Sequence, residues 1–201
     1  DPREPVYSVN YRAGDRVMGR KAIAVSLGDD FPFFRWLNVN GSGADVQIGI
    51  SAGVWAVFNF SHVPHRGGGD CELMNTDYLV GIPVSYACNK WSFRMRPYHI
   101  SGHLGDEFIV DNPKFLKKRK NPSFEAIDWI NSYQFSSGLR VYGGPGVVFH
   151  SDPSFRLKPL YVMWGTEIRL FGQKLYYHRL YGTPFFAAHM ENWEQHNWEL
   201  D

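Results

Sequence analysis

Cysteine is scarce: Cys71 and Cys88 are the only two in 201 residues, too few for a disulfide framework or a zinc cluster. No run approaches the roughly 18 consecutive apolar residues of a transmembrane helix. An excess of one charge is missing too. The net charge is +1, whereas a nucleic-acid binder usually carries a basic surplus. The low hydrophobicity and high net charge of a disordered chain are equally absent. Helical periodicity is convincing nowhere, and no secretory segment is visible. The opening Asp1-Pro2-Arg3-Glu4-Pro5 and the ending Trp198-Glu199-Leu200-Asp201 lead us to expect a mature, processed or truncated chain that has shed its targeting segment.

Aromatics make up 16% of the chain and glycine contributes 20 residues, arranged with a period of two. Val46, Ile48, Ile50, Ala52, Val54, Ala56, Phe58 and Phe60 form an unbroken apolar face, alternating with a smaller or more polar one. A strand of that length exceeds the usual five or six residues and suits a tilted strand crossing a bilayer. Tyr78, Val80, Ile82, Val84 and Tyr86 form the face of a further strand, which ends at a tight turn around Cys88-Asn89-Lys90. Trp91, Phe93, Met95 and Pro97 then alternate with Ser92, Arg94, Arg96 and Tyr98. This parity points the arginines to a polar lumen and the aromatics to lipid.

Further strands are expected near Val6–Arg12, Gly19–Leu27, Ile127–Ser136, Leu139–His150, Leu160–Phe171 and Leu175–Met190. Short turns (Ser136-Ser137-Gly138, Gly172-Gln173-Lys174) alternate with longer loops (His62–Thr76, Gly105–Ser123, Ser151–Pro159), the pattern of outer-membrane barrels. The segment Gly28–Ala44 breaks this alternation and has no place in the scheme. Cys71, in a loop, and Cys88, in a turn at the opposite strand end, are expected to lie too far apart to bond.

The stretch Arg96-Pro97-Tyr98-His99-Ile100-Ser101-Gly102-His103-Leu104-Gly105-Asp106-Glu107 puts polar groups where the alternation calls for apolar ones. His99, Ser101 and His103 share the parity of Trp91 and Phe93, the lipid-facing side. Counting up the strand from Asn89-Lys90 places His99 roughly 20 Å above the periplasmic edge, in the outer leaflet. A serine hydroxyl needs an imidazole to take its proton, and a third group to orient that imidazole. Residues i and i+2 share a strand face, so Ser101 is the candidate nucleophile and His99 the base. Glu125 has the parity of the next strand's apolar face and is the candidate orienting residue, with Asp106, Glu107 and Asn131 as alternatives. Gly102 is expected to leave a backbone N–H free for the oxyanion.

His99-x-Ser101 on an outward face, with an acidic residue on the following strand, resembles the active sites of outer-membrane phospholipase A and of outer-membrane lipid A deacylases. The connection from Ser101 to Glu125 is longer than in those families. More broadly, the chain resembles a bacterial outer-membrane β-barrel family classed as a domain of unknown function. The likeness runs over most of the chain and is carried by Asp1-Pro2-Arg3-Glu4-Pro5 and by Tyr98 to Glu107. Ser123-Phe124-Glu125-Ala126 and Gly138-Leu139-Arg140-Val141-Tyr142-Gly143-Gly144 carry it as well. That resemblance implies an outer-membrane location and members that run past Asp201, with further strands; it lends no activity.

The expectation is therefore one all-β domain over residues 1–201, an antiparallel up-and-down transmembrane barrel of about 8–12 strands. It would act as an acyl-ester hydrolase on phospholipid or lipid A, with no cofactor. Its partners would be membrane lipids or lipopolysaccharide, not nucleic acid. Several rivals stand beside it. His99, Ser101 and His103 would mark a plain strand exit into the headgroups. Alternatively His103, Asp106 and Glu107 would hold a divalent cation. A non-enzymatic barrel would be structural, or a narrow channel lined by Arg94, Arg96, Arg140, Glu167 and Arg169. A soluble barrel would bind an apolar ligand within. The basic run Lys114, Lys117, Lys118, Arg119 and Lys120 is a solvated loop or a grip on lipopolysaccharide phosphates.

Overall fold

The computed structural model describes residues 4–14, 21–61, 71–114 and 119–168, together with the backbone of 169, 185–192 and 198–200. The strands are β1 (Ser8–Ala13), β2 (Lys21–Trp36), β3 (Ala44–Asn59), β4 (Glu72–Gly81), β5 (Val84–Cys88) and β6 (Trp91–Leu104). They continue as β7 (Ser123–Ser136), β8 (Leu139–Ser151), β9 (Leu160–Arg169), β10 (Phe185–Asn192) and β11 (Trp198–Leu200). All belong to one sheet in which neighbours in sequence are neighbours in space, and every pairing is antiparallel.

β4 and β5 are two halves of one rung, since both pair with β3 on one side and β6 on the other. The break falls at Ile82-Pro83, where proline has no N–H to give the ladder. Ile82 N–H still donates to the Pro97 carbonyl at 2.9 Å, and the Pro83 carbonyl accepts from Gly49 N–H at 3.1 Å. The turn into β6 uses Asn89 at φ 51°, a left-handed conformation that asparagine tolerates.

The sheet curls. Side chains stand roughly perpendicular to a sheet, so residues three strands apart meet only on a concave face. Tyr98 of β6 and Tyr161 of β9 share a hydrogen bond at 2.8 Å, and Arg94 of β6 reaches Asp30 of β2 at 3.8 Å. Even positions of β6 and β7 therefore face inward, as the alternation predicts. An apolar cluster of Leu79, Tyr98, Phe124, Ala126, Val148, Tyr161 and Met163 fills one zone of this concavity. The segment before β1 crosses it: Ser26 Oγ donates to the Val6 carbonyl at 2.6 Å. Pro5 packs so closely on Gly28 that a Cβ there would lie 2.9 Å from the proline ring.

Several expectations are corrected. Gly28–Ala44 is not an interruption: β2 runs on to Trp36 across a bulge between Pro32 and Phe34, and a 3-10 turn over Val39–Gly41 leads into β3. A bulge shifts the alternation by one residue, which hid the second half of this strand. The loop expected over His62–Thr76 ends sooner, because β4 already starts at Glu72. The Gly105–Ser123 loop contains a short helix, α1 (Asp106–Asp111), with Asp106 and Glu107 in its first turn, where the helix dipole favours negative charge. Cys71 and Cys88 are both free, at opposite ends of the β4–β5 rung as expected. The turn Gly172-Gln173-Lys174 and residues 175–184 of the expected Leu175–Met190 strand lie outside the described residues. No helix among the described residues is long and apolar enough to cross a membrane.

Candidate active site

Register brings the outward polar residues together. His99 of β6 sits directly opposite Glu125 of β7, and its Nδ1 is 2.8 Å from Glu125 Oε1. Cross-strand partners have Cβ atoms about 5 Å apart, so a glutamate meets a histidine without strain. The long connection from Ser101 to Glu125 does not disturb this, because the ladder itself runs on to Ser101 opposite Ser123. With Nδ1–H donating to the carboxylate, the ring's Nε2 carries the free lone pair. Ser101, two residues on, shares the face of His99 and lies opposite Ser123 of β7 and Tyr78 of β4. Among the described residues Ser101 makes no hydrogen bond to His99, so a Ser–His pair would form only if its hydroxyl turned toward Nε2.

A third member of the row was not legible in the sequence. His150 of β8 lies opposite Glu125 on its other side, and its Nδ1 contacts Glu125 Oε2. Simple alternation from Val147 puts His150 on the inner face. A bulge between Glu125 and Ala126 on the β7–β8 ladder leaves Phe149 without a partner and turns His150 outward. Side-chain exposures of 38% for His99, 32% for Glu125 and 69% for His150 leave the row open to the surroundings. The surface about it is apolar: Val80, the residue opposite His99 on β4, and Val147, Phe149 and Leu160 are all exposed.

The other candidates stand apart. His103 packs edge-on against Tyr78, ring centroids 5.8 Å apart, about 13 Å along the strand from His99. Asn131 accepts from Trp129 Nε1 at 3.2 Å, about 20 Å along β7 from Glu125. Asp106 and Glu107 belong to α1. Among the described residues no three His, Cys, Asp or Glu side chains converge as a metal ion requires, so His103, Asp106 and Glu107 do not form the cation cluster considered above. Gly102 is also corrected: its N–H donates to the Pro122 carbonyl at 2.9 Å and is not free for an oxyanion. The space there is tight, since a Cβ would lie 2.5 Å from Asp77 Oδ1 and 2.7 Å from the Pro122 ring. Of the basic run, Lys117 and Lys118 lie outside the described residues, while Arg119 and Lys120 are exposed.

Inside the curl lies a second polar cluster. Arg96 and Asp128, 1% and 0% exposed, pair at 2.8 Å through Arg96 Nη2 and Asp128 Oδ2. Glu4 accepts from Arg94 at 2.9 and 2.5 Å and from Arg96 at 3.3 Å. Arg140 pairs with Glu167 at 2.6 Å, and Asp30 accepts from Ser51 Oγ. A cavity of about 360 Å³ adjoins them, lined in part by Ser85, Ser92, Ser132 and Tyr142. The side chain of Arg169 lies outside the described residues.

An all-β antiparallel sheet that turns its ion pairs inward and a His–Glu–His row outward defines the class structurally. The chain belongs to the family described as Protein of unknown function (DUF1207), whose family model matches residues 1–201. No curated protein and no solved structure matches it.

Proposed function

We propose that the sheet closes into an up-and-down barrel in a bacterial outer membrane, and that Ser101, His99 and Glu125 hydrolyse acyl esters of outer-leaflet lipid. The observation that carries the reading is the 2.8 Å contact between His99 Nδ1 and Glu125 Oε1, on the face that also bears Ser101. A membrane setting is supported by the many large apolar side chains exposed on the convex side, among them Leu27, Phe34, Trp36, Trp129, Val162 and Trp164. A soluble monomer rarely exposes so large an apolar surface, and polar groups on such a surface are costly enough to suggest a function.

In the reaction, Ser101 Oγ attacks the ester carbonyl as His99 Nε2 takes its proton. Glu125 stabilises the imidazolium through Nδ1–H. Collapse of the tetrahedral intermediate breaks the C–O bond, and His99 returns the proton to the departing lipid hydroxyl. Water, activated by the same imidazole, then releases the fatty acid and restores Ser101. No cofactor enters this scheme.

The test is release of fatty acid from phosphatidylethanolamine in mixed detergent micelles by the purified protein. Release is expected from the wild type and should fall at least a hundredfold in Ser101→Ala and in His99→Ala. Equal release by Ser101→Ala, or none by the wild type on this lipid and on lipid A, overturns the reading. A purely structural barrel is the second reading, favoured by the missing Ser101–His99 hydrogen bond. A conduit gains little support, because Arg94, Arg96 and Arg140 are each paired with a carboxylate on the inner face. An interior so charged also offers little to an apolar ligand.

A further inference from the structure

We infer that His150 is a positioning residue of this site: it grips one oxygen of Glu125 so that the other is presented to His99. The inference rests on the hydrolase reading above and assigns a role to a side chain outside the Ser–His–Glu set. The terminal torsion of a glutamate is broad and roughly two-fold, so a carboxylate held at one oxygen swings freely. Glu125 is held at both, by His99 from β6 and by His150 from β8, with all three residues in one cross-strand row. His150 is too far round the sheet to be the base itself, since β8 lies two strands, about 10 Å, from the strand that bears Ser101. Nor does packing explain it, because at 69% exposure the ring fills no core. The Phe149 bulge that turns it outward re-aims one side chain, a recurring use of bulges near active sites.

The experiment follows the rate at which a fluorophosphonate probe labels Ser101 in the full chain in detergent micelles, a readout that needs no knowledge of the natural lipid. His150→Ala should slow labelling about tenfold, the loss of one hydrogen bond to a charged group. His150→Asn should recover most of it, because the asparagine amide nitrogen overlays imidazole Nδ1. In a Glu125→Ala background His150→Ala should slow labelling no further, since residues acting through one another are not additive. Wild-type labelling by His150→Ala, or a full additional loss in the double variant, overturns the inference while leaving the hydrolase reading intact. A wild type that takes no label, or a Ser101→Ala variant that still does, overturns both.

Discussion

The chain builds the same motif twice, once on each side of its sheet: a carboxylate shared between two nitrogen bases. Inside, Glu4 lies between Arg94 and Arg96, with Asp128 completing the set at 0% exposure. Outside, Glu125 lies between His99 and His150. The difference is in the bases. Guanidinium groups stay charged at every accessible pH, so the inner cluster is a fixed brace from the segment before β1 to β6 and β7. A neutral imidazole carries one donor and one acceptor nitrogen, so the outer row has the groups that the proposed chemistry needs. A shared carboxylate braces the fold where its partners are largely buried guanidinium groups, and belongs to the proposed site where they are exposed imidazoles.

The comparison breaks most readily at Asp128. Asp128→Ala leaves Arg96 buried with only Glu4 to answer it and should destabilise the fold by about 3–5 kcal/mol, read as a lower urea midpoint. A loss under about 1 kcal/mol would mean the inner cluster is not a brace. Glu125→Ala should do the opposite: it should slow serine labelling roughly a hundredfold while shifting stability by less than about 1 kcal/mol, as for surface pairs. Equal damage to stability would erase the distinction between the two clusters. The smallest effect belongs to the loop beyond β8. Ser154's hydroxyl and N–H, with the Asn121 amide, hold the Asp152 carboxyl below its usual range. Its contribution is therefore present above the unfolded carboxylate pKa and is lost as pH falls below it. Proteolysis between β8 and β9 should accelerate modestly below about pH 4, and Asp152→Ala should show that rate already at neutral pH.

Much of this was legible because a strand's alternation encodes its two faces. The inward Arg94 and Arg96, the outward His99 and the matching parity of Glu125 all follow from counting by twos from the turn at Asn89 and from Trp129. What escaped lies where counting by twos fails. The bulge between Pro32 and Phe34 disguised the second half of β2, and the one at Phe149 concealed His150. α1 is too short, over Asp106–Asp111, to show a helical period. That the N–H of Gly102 is taken by Pro122 was not legible either, because backbone partners depend on how far a ladder extends. Glu4 was invisible as an inner residue, since nothing local in the sequence around Glu4 and Pro5 marks them as inward-facing.

The row His99–Glu125–His150 also makes the site a test of correct assembly. Its members come from three strands and meet only through ladder register. A slip of one residue between β6 and β7 would set His99 against Phe124 or Ala126 and turn one strand's whole set to the wrong face. A chain that is unpaired, or paired out of step, thus carries all three residues and no functioning row, so any reactivity of the row arises only once the sheet has zipped in register.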